Sequence, residues 1–150
     1  MHVYRYMVGA ALLAVSIGSA ACDESLTSIT GATPNLVPTF SSIQNDIFSN
    51  GDSTGRSPCT QCHNAIGGRF NGLDLSPAVA YGNLVNISSR GKVGAVRVIP
   101  GDPDNSYLIH KIEGRPGIVG LRMPFNGPPY LSDGQILVIR RWIELGARND

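Results

Sequence analysis

Two cysteines and a histidine stand together at Cys59-Thr60-Gln61-Cys62-His63 in a chain of 150 residues. The C-x-x-C-H spacing suits covalent attachment of a haem. Each thiol adds across a vinyl group to form a thioether, so the cofactor cannot leave. His63 follows the second thiol directly, which holds its imidazole under the porphyrin as the proximal iron ligand. The chemistry would be the transfer of single electrons, supplied by the haem. Three other readings compete. A thioredoxin-like pair wants a βαβ setting and a cytosolic address, and neither is present. A structural zinc site wants four Cys or His ligands, whereas this chain offers one cysteine pair, His63 and a distant His110. A plain disulfide gives His63 no role.

A haem held from one side asks for a ligand on the other. Beyond residue 21 the chain has a single methionine, Met123, in a stretch dense in Gly and Pro that runs from Gly114 to Pro129. Long loops of this kind are functional or disordered. Pro124 turns Met123 away from helical backbone, so the thioether is presented from an extended segment, suited to the distal face. Its bland reading is a flexible core filler. His110 is the rival ligand, although its position beside Lys111 within a helical pattern also fits an ordinary surface or core histidine. A His/Met pair raises the potential and closes the iron to substrates, while an open site permits peroxide or oxygen chemistry. Arg69, Arg97 and Arg122 are candidates to neutralise buried propionates; taken singly, each reads more simply as a solvated surface charge.

These groups need elements to position them. The apolar share is 42%, which suits one soluble globular domain, and 18 Gly and 10 Pro imply short elements and many loops. Lys plus Arg number 12 against 11 Asp plus Glu, so no basic excess points to nucleic acid. Phe40, Ile43 and Ile47 share a helical face, with Ser41 and Gln44 as a capping box. Ser76-Pro77 reads as a helix start leading to Tyr81, Leu84 and Val85. The β-branched stretch Val93–Ile99 is expected to be briefly extended. Asp102-Pro103 is expected to open a helix carrying Leu108, Ile109 and Ile112, closing at Gly114. The last helix has the strongest signals. Ser132 and Gln135 form a capping box, Leu131 and Ile136 a hydrophobic staple, and Ile136, Ile139 and Ile143 a stripe widened by Val138, Trp142 and Leu145, with Gly146 as the C-cap. Trp142 reads as the anchor of this helix.

The N-terminus carries export signals. Arg5, the apolar run Val8–Ile17 and the small residues Gly18-Ser19-Ala20-Ala21 form a bacterial-type signal peptide over residues 1–21. Ser19-Ala20-Ala21-Cys22 resembles a lipobox without its leading leucine, so Cys22 is a candidate for lipidation; the alternative is ordinary cleavage leaving a free thiol. Residues 22–39, rich in Ser, Thr, Gly and Pro, read as a tether to a membrane anchor or as a disordered tail. Residues 40–150 form the folded domain.

Together these segments resemble the small monohaem cytochrome c domain. The haem motif is Cys59-x-x-Cys62-His63. Arg122-Met123-Pro124 is similar to its distal methionine segment, and Leu131-Ser132-Asp133 through Arg141-Trp142-Ile143-Glu144-Leu145-Gly146-Ala147 is similar to its terminal helix. Pro100-Gly101-Asp102-Pro103 before Ser106-Tyr107-Leu108 is similar to the variety common in planctomycetes and related environmental bacteria. The resemblance implies an all-α fold of four to five short helices around one haem c, with the first and last helices crossing near the haem edge. It implies a one-electron carrier rather than an enzyme, serving redox partner proteins; with the export signal and the lipobox-like Cys22, the expected place is the periplasm, on a lipid anchor if Cys22 is lipidated. The alternatives are a peroxidase-like enzyme or gas sensor with an open distal site, or a subunit docking to a larger membrane oxidoreductase. The long loop around Met123 and the Val93–Ile99 stretch depart from the pattern.

Overall fold

A computed structural model describes residues 35–66 and 70–150. The signal peptide at residues 1–21, Cys22, most of the tether and Arg69 lie outside the described residues. The described residues are all-α, with almost no strand. Among them four α-helices follow in order: α1 (Phe40–Ile43), α2 (Ala80–Leu84), α3 (Tyr107–Glu113) and α4 (Asp133–Glu144). A π-helical turn (Gln44–Phe48) continues α1, and 3-10 turns lie at Cys59–Gln61 and Phe70–Gly72.

Helix α1 starts two residues earlier than the Ser41 capping box would place it. Thr39 is the N-cap and accepts from the Ser42 amide at 3.3 Å. The amides of Phe40 and Ser41 donate to Asp150, to its side chain at 2.8 Å and its carbonyl at 2.9 Å. The early start has a packing cause. Phe40 must be inside the helix to bury its ring, which meets Trp142 of α4 at 5.5 Å between centroids and Tyr81 edge-on at 5.3 Å. Gln44 is released from capping. It is buried, and its side-chain amide donates to the Leu75 carbonyl at 2.9 Å and the Ser49 hydroxyl at 3.0 Å.

Two other helix starts also move. The Ser76 carbonyl accepts from Val79 and Ala80, so Ser76-Pro77 makes a turn and regular helix α2 begins at Ala80. Asp102-Pro103 likewise makes a turn, because the Ser106 hydroxyl donates to the Asp102 carbonyl at 2.7 Å and accepts from the Ile99 amide at 2.9 Å. That ties the hydroxyl to the turn, and α3 begins only at Tyr107. Its end is as expected, with Gly114 in left-handed backbone at φ 74°. The Val93–Ile99 stretch yields isolated bridges, Val85 with Val98, Ser88 with Val96 and Ile99 with Asp102. Val93 and Gly94 form a turn instead, so no ladder can propagate.

Helix α4 carries the full capping box of Ser132 and Gln135. Leu131, Ile136, Val138, Ile139, Trp142 and Ile143 are all buried, but Leu145 is exposed. Leu145 is the C-cap itself, and Gly146 follows it with φ 97°. Trp142 is 1% exposed and its indole N–H donates to the Arg148 carbonyl at 2.8 Å, so it anchors the helix end. The core takes in Leu36, 2% exposed, from the segment that composition assigns to the tether. No helix among the described residues is long and apolar enough to cross a membrane.

Candidate functional site

The C-x-x-C-H segment is positioned by a buried arginine. At the end of the π-turn the Ile47 carbonyl has no further helical amide to accept from. Arg56 supplies one donor, its Nη1 at 3.2 Å, and the Cys59 thiol points at the same oxygen from 3.7 Å. The Arg56 guanidinium also donates to the carbonyls of Ser57 (3.0 Å) and Asn50 (3.1 Å) and pairs through Nε with Asp52 at 3.0 Å. Arg56 is 2% exposed. Gln135 of α4 reaches the same Asp52 carboxylate at 3.2 Å. Burial alone would raise the Asp52 pKa, but hydrogen bonds from Thr54, Gln135 and Arg56 outweigh it and hold the carboxyl down at about 2. A side chain at Gly51 would collide with the Arg56 carbonyl, so glycine is required where the loop doubles back.

Pro58, at φ −64° and ψ 147°, leads extended backbone into the turn. The Cys59 carbonyl then accepts from the amides of Cys62 at 3.2 Å and His63 at 2.9 Å, winding the whole motif into one tight turn. Neither thiol is in a disulfide. Cys59 packs against the core while Cys62 is exposed. Burial pushes the Cys59 thiol up to about 11, so it is fully protonated at neutral pH. His63 is half-buried, and the Leu73 carbonyl accepts a hydrogen bond from its ring. Its pKa lies below the usual imidazole value, first through burial and then through the charges of Arg97 and Lys111. The ring is therefore held neutral, the form that ligates a metal, and oriented by a carbonyl as ligating histidines are.

Met123 sits on the loop after α3. It is half-buried and packed against the core. Its amide donates to the Lys111 carbonyl at 2.8 Å. Asn126, three residues on, donates to the Ser57 hydroxyl at 3.0 Å, joining this loop to the residues just before Cys59. The structure thus ties the Met123 loop to the residues leading into the cysteine turn. His110 is placed elsewhere: its Nε2 lies 2.6 Å from the Asp104 carbonyl and its ring packs edge-on to Tyr107.

Of the three arginines considered for propionates, Arg97 is not the solvated surface charge that its sequence setting suggests. It is buried, and its guanidinium donates to the carbonyls of Asn83 (2.6 Å) and Asn71 (3.1 Å). It makes no ion pair with any described carboxylate. Burial, and then the charge of Arg90, lower its pKa. Arg122 is half-buried, donating to the Ile112 carbonyl at 2.8 Å and lying 4.2 Å over the Tyr130 ring.

Cys59, Cys62 and His63 share one turn, Met123 lies on a loop tied to the residues before that turn, and Arg97 is a buried cation without a partner among the described carboxylates. The chemistry of these residues fits a haem c: Cys59 and Cys62 would take the thioethers, His63 and Met123 the iron, and Arg97 a propionate. No group of three or more His, Cys, Asp or Glu among the described residues is arranged to hold an ion. Sequence reading missed Arg56 and Asp52, and it gave Gln135 only its capping role, not its contact to Asp52. Arg56 stands in no recognisable motif; the faint signal is its place between Gly51 and Pro58, where a loop must turn sharply. No protein-family model matches the chain, and no curated protein or solved structure matches it significantly.

Proposed function

We propose that this protein is a monohaem c-type cytochrome that carries one electron at a time between partner proteins. The observation that supports this most is the Cys59–His63 turn, in which two unpaired thiols and a neutral, carbonyl-oriented imidazole are presented from one short piece of backbone. A haem held there supplies a one-electron iron couple whose potential is set by axial ligands, hydrogen bonding and burial. The chain's residues do the rest. Cys59 and Cys62 would retain the group, His63, oriented by the Leu73 carbonyl, and Met123, on its core-packed loop, would hold the iron, and Arg97 would offer a buried counter-charge. A packed thioether favours the closed, carrier form over an enzyme with an open site.

The same reading includes export by residues 1–21 to the periplasm and lipidation at Cys22, since a tethered carrier reaches membrane-bound partners. The test is intact mass and pyridine haemochrome analysis of the exported protein. The expected result is one haem with two thioethers that survives acidified acetone, and a methionine–iron charge-transfer band that vanishes in Met123→Ala. A mass of bare chain plus acyl groups, or complete extraction of pigment, overturns the proposal.

A further inference from the structure

The carbonyls of Lys111 and Ile112 lie in the last turn of α3, where no helical amide follows to pair with them. Two groups from the loop leading to Met123 take those places. The Met123 amide donates to the Lys111 carbonyl at 2.8 Å, and Arg122 Nε donates to the Ile112 carbonyl at 2.8 Å. The Lys111 side chain closes the same loop from the other direction. Its ammonium donates to the Val119 carbonyl at 2.9 Å and the Leu121 carbonyl at 2.5 Å. Gly120 lies between those two residues at φ 72°, a left-handed backbone that turns both flanking carbonyls onto one cation. A Cβ at Gly120 would stand 4.0 Å from the ammonium. One turn earlier on α3, the Tyr107 hydroxyl accepts from the Val119 amide at 2.9 Å.

We infer that Lys111 is the positioning residue for Met123, its ammonium clamping residues 119–121 and its carbonyl holding the methionine's own amide. The consequence for iron rests on the cytochrome reading; the clamp itself rests on these contacts. Without the ammonium, the Val119 and Leu121 carbonyls turn to water, and residues 119–121 lose their one side-chain cation while Tyr107, Arg122 and, further up the loop, Lys92 keep their contacts. The methionine then leaves the distal position more readily, although the fold is intact.

The test uses purified holoprotein with Lys111→Leu, which keeps an alkyl stem but no donor, Lys111→Arg, which restores donors, and Lys92→Leu. Lys92 donates to the Gly117 carbonyl further up the loop and serves as the control. In Lys111→Leu the Val119 and Met123 amides are expected to exchange with solvent about tenfold faster, with the amides of α4 unchanged. The methionine–iron band is expected to vanish at a lower denaturant concentration than global unfolding, and the reduction potential to fall. Lys111→Arg restores wild-type exchange, and Lys92→Leu leaves Met123 protected. Wild-type exchange at both amides in Lys111→Leu overturns the inference, as does an equal effect in Lys92→Leu. Should Lys111→Leu fail to fold, Gly120→Ala strains the same clamp from the loop side and carries the same readouts. A wild-type protein lacking the methionine–iron band would sink the distal-ligand reading, while amide exchange would still decide the clamp.

Discussion

Arg56 and Asp52 make the clearest case for what one side chain contributes. The pair is desolvated, with side chains 0% and 6% exposed, and every donor of consequence has a partner. Breaking such a pair from one side leaves a buried charge, which costs about 3–5 kcal/mol. Arg56→Met is therefore expected to lower the denaturation midpoint by that order. A shift no larger than the ~0.5 kcal/mol of an ordinary surface change would count against this account. The Asp52 carboxyl also makes a pH prediction. Its folded pKa is depressed from 3.8 to about 2. The stability it adds is thus fully present above pH 3.8 and lost as pH falls towards 2, amounting to about 1–2 kcal/mol. Unfolding curves of wild type and Asp52→Asn should converge across that window. Curves that stay parallel from pH 5 to 2 would refute it.

Among the elements, α4 is the one whose local signals and tertiary role agree. Its capping box satisfies first-turn amides, and its buried stripe faces α1 and α3. Ser132→Ala is expected to cost about 1 kcal/mol, read as a drop in melting temperature. Helix α3 works differently. It has only seven residues, too few to hold by propensity, and its C-terminal carbonyls are satisfied by the Met123 loop. That loop is therefore part of the helix's own termination, which explains how a Gly/Pro-rich segment without regular structure can be fixed in place. The β-branched Val93–Ile99 stretch makes only bridges, because the segment it pairs with turns away after one residue at a time.

At the scale of the whole molecule, contacts join the first described helix and α2 to the C-terminal segment. Phe40 lies on Trp142, Asp150 caps α1, and Tyr81 donates to the Ala147 carbonyl at 3.0 Å. Trp142 fills the centre of this arrangement, so Trp142→Ala should cost about 3–5 kcal/mol. Calorimetry on the purified protein measures it, and a loss below about 1 kcal/mol would show that the core relaxes around the cavity. The Arg115, Arg140, Glu113 and Asp104 cluster also spans α3 and α4. Asp104, which both arginines share, is 68% exposed and the other three side chains 22–30%, so water screens the cluster in part and each pair contributes less than a fully desolvated one.

What the residues alone determined was local. C-x-x-C-H spacing, the capping box at Ser132, the stripe of α4 and the glycine that ends α3 are all short-range patterns, each set by neighbours within a turn or two. The all-α class followed from them. Tertiary structure decided everything that depends on distant partners. Phe40 moved the start of α1 because Trp142 lies across from it. Arg97 is buried because the carbonyls of Asn71 and Asn83 converge on it. Arg56 became the support of the cysteine turn because a helix end 9 residues earlier in the chain presents an unsatisfied carbonyl there. Leu36 joined the core although its segment reads as linker. A polar side chain's role is fixed by which acceptors the fold brings to it, and that geometry is not written in its immediate sequence.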